Sequence, residues 1–154
     1  MPDAARIAEQ LRNAFEGNAW HGPGLLELLK DVDPATAASH PLPETHSIWE
    51  LVLHIEAWDN AVNRRIIESK ALQLKGAQNF PPVKDKSSAA WKKTVADLKK
   101  THAALVKTAA SLSDKRLGER VPGKRYNIRF MLDGVAQHEL YHAGQIAILK
   151  KTRL

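Results

Sequence analysis

From residue 91 to residue 112 the chain carries one series that few folds can satisfy. Trp91, Val95, Leu98, His102, Leu105, Ala109 and Leu112 follow one another at alternating steps of four and three. A helix turns once every 3.6 residues, so the series lines a single face for about six turns; a strand would scatter it over both faces. A stripe of that length has to be covered by other helices, and a seam of this regularity is typical of bundle packing.

The remainder of the chain supplies the partners. Asp3 is expected to cap a first helix whose apolar face is Ile7, Leu11, Ala14 and Phe15, with Gly17 weakening its end. Trp20-His21-Gly22-Pro23-Gly24 breaks the chain before a short helix over residues 25–29. Asp33-Pro34 reads as a cap followed by proline at the first helical position. Ser47-Ile48-Trp49-Glu50 matches a capping box, in which serine and glutamate satisfy each other's orphan amides. The helix it opens carries Leu51, His54, Ile55, Trp58, Ala61 and Val62 on one broad face and runs to about Ser69. Ser87 or Ser88 starts the seam helix. A basic stretch with Pro122-Gly123 reads as a loop or short hairpin, and a last helix spans about 128–150, its basic end favourable at a C-terminus. Trp20, Trp49 and Trp91 are core candidates. The expected fold is all-α: a single-domain four-helix bundle over 1–154, whose long connections allow a crossover rather than an up-and-down topology.

Composition narrows the chemistry. With no cysteine among 154 residues, disulfides, thiolate metal sites and cysteine nucleophiles are excluded, leaving imidazole, carboxylate and water as metal ligands. No stretch approaches the roughly 20 apolar residues of a membrane span, and no signal peptide opens the chain, so a cytoplasmic protein is expected. The formal charge is +6, but the lysines are interspersed with Asp and Glu and no recognition motif accompanies them. A small anionic ligand is therefore a better expectation than nucleic acid.

The chemistry concentrates near the end, in Gln137-His138-Glu139-Leu140-Tyr141-His142-Ala143-Gly144-Gln145-Ile146. Residues four apart share a helix face, so His138 and His142 present two imidazoles side by side, a pairing suited to zinc or nickel. In a chain with seven histidines such a pair also arises by chance, and a third ligand is needed. His54, inside the apolar face of its own helix, could supply it; it could equally be a core histidine bonded to a carbonyl. Three neutral ligands would leave the ion its full charge and open positions, the arrangement of a catalytic rather than a structural site.

Three segments, Ala19-Trp20-His21-Gly22-Pro23, His46-Ser47-Ile48-Trp49-Glu50-Leu51 with Leu53-His54-Ile55, and the 137–146 stretch, resemble the DinB-like (DinB/YfiT) superfamily. The likeness covers nearly the whole chain, and the closing Tyr-His-Ala-Gly-Gln is fairly specific. It implies a four-helix bundle, usually dimeric, with one divalent ion (Zn, Ni, Mn or Fe) held by His54, His138 and His142. Some members are thiol-dependent transferases or isomerases using a low-molecular-weight thiol; many have no established activity. The resemblance thus implies a metal-dependent transferase or hydrolase acting on a small molecule or thiol. The alternative is a non-catalytic, metal-containing stress-response or binding module. Trp58, one turn beyond His54, Tyr141, and Gln145 on the inward face are the pocket or supporting candidates, each set against plain packing. His46 is read as orienting a helix start, His102 as structural, and Glu50 as the cap. A homodimer is expected, with exposed apolar area on the first and third long helices as its interface.

His138-Glu139-Leu140-Tyr141-His142 also satisfies the His-Glu-x-x-His signature of zinc proteases, where the glutamate activates water. Only twelve residues follow His142, and none is His, Glu, Asp or Cys, so the usual downstream ligand is missing. A protease is the weakest of the readings, and Glu139 is expected to lie lateral to the metal.

Overall fold

The computed structural model describes residues 1–152. Seven helices follow in order: α1 (Asp3–Glu16), α2 (Leu25–Leu29), α3 (Pro34–Ala38), α4 (Ile48–Glu68), α5 (Ser88–Ala110), α6 (Asp114–Gly118) and α7 (Ile128–Lys151), with one 3-10 turn at Gly76–Gln78. Among the described residues there is no strand, only isolated bridges at Ala19–Gly22 and Arg120–Asn127. The long helices α1, α4, α5 and α7 form the bundle: α5 and α7 each pack on both α1 and α4. The chain is all-α, as its periodicities require.

Most helix starts follow the capping chemistry of the sequence. The Ser47 hydroxyl accepts from the Glu50 amide at 3.1 Å, and Glu50 Oε2 accepts from the Ser47 amide at 2.8 Å. Asp33, Ser87 and Asn127 cap α3, α5 and α7 through the amides of Thr36, Ala90 and Phe130. The first helix departs from expectation. Pro2 stands at its N-cap without a side-chain bond, and Asp3 lies inside the first turn. There it pairs with Arg6 and, across the bundle, with Arg129. An acid at that position gains from the helix dipole as well as from two guanidinium groups, which a cap role would forfeit. Gly17, at φ 122°, ends α1, and a Cβ on Gly24 would sit 2.6 Å from the Gly17 nitrogen, so the turn between α1 and α2 closes backbone on backbone. The basic stretch after α5 holds the short α6 and then a tight turn, in which the Val121 amide donates to the Tyr126 carbonyl.

The apolar core is divided in two. One part gathers Leu11 of α1, Val62 of α4, Leu105 of α5 and Leu132 and Ala136 of α7. The other gathers Phe15, Ile55, Trp91, Leu98, Ala143 and Ile146, together with α2 and α3. Trp49 and Trp91 belong to it, as expected; Trp20 is fully exposed, because its turn leaves the ring nothing to pack on. Exposed large apolar side chains lie at Trp20, on α4 (Ile67) and on α7 (Phe130, Tyr141, Ile148) rather than on α1 and α5. No described helix is long and apolar enough to cross a membrane.

Candidate metal centre

His54 of α4 meets His138 and His142 of α7 beside the divided core. The Nε2 atoms of His54 and His138 lie 3.0 Å apart, and so do those of His138 and His142. His54 and His142 are buried, His138 partly so.

Two of the three rings have their tautomer set. His54 Nδ1 donates to the Asn79 carbonyl at 2.6 Å, and His142 Nδ1 donates to Gln145 Oε1 at 2.6 Å. A neutral imidazole that donates through Nδ1 carries its lone pair on Nε2, the atom turned toward the other rings. Supporting acceptors of this sort orient metal-bound histidines in general. Phe80 stacks on His54 at 4.0 Å and on His46 at 3.8 Å, which fixes the plane of the His54 ring.

Burial pushes all three rings toward the neutral form. Burial lowers the pKa of His54 against the Asn79 carbonyl, and lowers that of His142 against Gln145. Burial, with the neighbouring His142 and His54, takes His138 down to about 4. The Nε2 lone pairs of His54 and His142 both face His138 Nε2, which can donate a proton to only one of them or, with its own lone pair presented, share an ion with both. The three donor atoms lie within 4.8 Å of one another, close enough to share one ion. The donor set therefore fits a divalent cation, and these three residues could hold one.

Beside the rings a cavity of about 430 Å³ is lined by His54, Trp58, Arg65, Asn79, Tyr126 and His138, among others. Trp58 Nε1 donates to Asn79 Oδ1 at 2.8 Å, and its ring stands 6.4 Å from that of His138. Trp58 is thus a wall of the cavity. Gln145 supports His142 directly. Tyr141 is 66 % exposed and meets His142 edge-on from outside, ring centres 5.1 Å apart. His40 and His46 both lie against Glu50, the capping acid.

A second group was missed in the sequence. Asp59 of α4, His102 of α5 and Glu139 of α7 are buried to 0, 2 and 0 % exposure. His102 Nδ1 lies 3.2 Å from Asp59 Oδ2 and 2.8 Å from Glu139 Oε1, while its ring stacks on Phe15 at 3.8 Å. This polar layer is what splits the apolar core. Burial pulls the His102 pKa down, yet the bonds and charges of Asp59 and Glu139 outweigh it and bring it to about 9. Burial and the Asp59 charge raise Glu139 to about 8. These three could also hold a cation by their spacing, but they already contain opposite charges. Glu139, lateral to the histidines as expected, is committed to this layer and does not line the cavity. A signal for the group exists. Ile55-Asp59-Val62-Ile66, Leu98-His102-Leu105 and Val135-Glu139-His142-Ile146 each place a member of the group on a seam of alternating steps of four and three, the last beside His142 of the histidine triangle.

No curated protein and no solved structure matches the chain. The sequence profile of the DinB superfamily matches residues 19–146, which takes in α2 to α5 and all three converging histidines. Helical architecture, the histidine triangle and that match agree, and the chain belongs to the DinB superfamily.

Proposed function

We propose that this protein is a metal-dependent enzyme in which His54, His138 and His142 hold one divalent ion at the inner end of the Trp58 cavity. The observation that carries the reading is the convergence of three Nε2 atoms, two of them left with a free lone pair because the ring's Nδ1–H donates to an acceptor behind it. Such an ion supplies Lewis acidity and lowers the pKa of a water or thiol, which suits hydrolysis or transfer to a thiol. The chain's own residues do the rest. Asn79 and Phe80 hold His54, Gln145 holds His142, and Trp58 walls a cavity large enough for a small organic molecule. No carboxylate lines that cavity, so the chain offers no acidic general base there. A zinc-protease mechanism loses its water-activating acid for the same reason, since Glu139 is bound to His102. Assembly as a homodimer belongs to the reading, with the exposed Tyr141 and Ile148 of α7 as apolar surface.

Elemental analysis of anaerobically purified protein is expected to find about one Zn, Ni, Mn or Fe per chain, lost in His54→Ala. Absence of stoichiometric metal, with uptake unchanged in His54→Ala, overturns the proposal. Metal without turnover of any thiol and electrophile pair or activated ester would leave the binding-module reading in its place.

A further inference from the structure

Arg65 is the only buried arginine among the described residues, at 3 % exposure. It is also one without a carboxylate partner, whereas the more exposed Arg6, Arg64, Arg116 and Arg129 each have one. Buried charges are ordinarily paired, because leaving water costs them heavily. The Arg65 guanidinium is anchored on one edge only. Its Nε and Nη2 donate to the Leu72 carbonyl, at 2.9 and 2.5 Å. Its Nη1 has the Tyr126 hydroxyl at 3.5 Å and Met131 Sδ at 3.8 Å, both weak acceptors at those distances. Tyr126 and Met131 line the 430 Å³ cavity, so Nη1 is the edge turned toward it.

That cavity has a marked polarity. Arg65 is its only Lys or Arg, and it contains no Asp or Glu. Its histidine end is the proposed ion site. Trp58 neighbours both, with the guanidinium carbon 5.4 Å and the His138 ring centre 6.4 Å from its ring centre. A ligand lying along Trp58 would reach both ends.

We propose that Arg65 is an anion-recognition residue, and that the substrate is a small organic monoanion, a carboxylate on a flat apolar body. Its carboxylate meets Arg65 Nη1, its body lies on Trp58, and its opposite end lies at the three histidines. A single guanidinium with one free edge suits one negative charge, and its planar fork suits a carboxylate. The flat body follows from the walls, where Trp58, Tyr126 and Phe130 offer ring surface. This inference rests on the ion-site reading only for which end reacts; the anion preference itself needs no metal.

The test is calorimetric binding of 4-phenylbutyrate and of its uncharged amide, 4-phenylbutanamide, to metal-stripped and zinc-loaded protein. The acid is expected to bind about tenfold or more tighter than the amide in both forms, the range of a charge-assisted hydrogen bond. In Arg65→Gln the two should bind within about twofold of each other, and Arg65→Lys should recover part of the preference while leaving metal content unchanged. Should Arg65→Gln fail to fold for want of the Leu72 anchor, the Arg65 Nε–H resonance in wild-type protein decides: it shifts with the acid and not with the amide. Equal binding of acid and amide overturns the inference. So does a preference that vanishes on stripping the metal, which would place the carboxylate on the ion; loss of metal binding with the preference intact would instead sink the ion-site reading alone.

Discussion

Helices α4 and α7 contribute to two histidine-containing groups barely a turn apart, the second completed by His102 of α5, and the two solve opposite problems. His54, His138 and His142 bring only bases together, each pushed toward its neutral form, and two of them line a cavity. Asp59, His102 and Glu139 bring acids and a base together in the core, where His102 Nδ1 lies within ion-pair distance of both carboxyl groups. The neighbours His138 and Glu139 fall on opposite sides of this divide because adjacent helical positions point about 100° apart. A group of like bases invites an external cation; a group of acids around a base pairs within the core. Identical residue types therefore say little until their companions are known.

Removing a ring from the first group should have the largest effect and leave the second untouched. His142→Ala is expected to weaken zinc binding by about a hundredfold or more while apo-protein stability changes little, read by competition with a chelator and by urea unfolding. Breaking the second group should do the reverse. His102→Leu leaves two buried carboxyl groups without their base and is expected to cost about 3–5 kcal/mol in urea unfolding, with metal content unchanged. If instead it empties the protein of metal, the two groups are one unit and the contrast fails.

Supporting residues should give smaller versions of the first effect. Gln145→Leu removes the acceptor behind His142 and is expected to lower metal affinity by about 10–100-fold, with little change in unfolding. The gentlest signature is a pH dependence. His102 has a folded pKa near 9, above the ordinary 6.5, so its stabilising charge is fully present below about pH 6.5 and is lost as pH rises through 9. Wild-type stability should decline over that window, and His102→Leu should flatten the curve.

The elements were legible where local chemistry decides them. The Ser47–Glu50 box, the Asp33-Pro34 start and the α5 seam all act within a few residues. Asp3 was misread because its partner Arg129 is more than a hundred residues away, beyond any local rule. Trp20 looked like core by size alone, yet its turn projects it into solvent. The His54, His138 and His142 triangle was reached through spacing and family likeness together. The layer of Asp59, His102 and Glu139 was not, although each of its members interrupts an apolar seam. A polar residue at such a place demands a partner, and the partners lie on different helices.

Asn79 serves two masters: its backbone carbonyl steadies His54 and its side chain holds Trp58. Anyone grafting this site into another scaffold would accordingly have to transplant residues 79 and 80 with the three histidines. Without them the recipient would inherit rings free to spin and a wall free to swing.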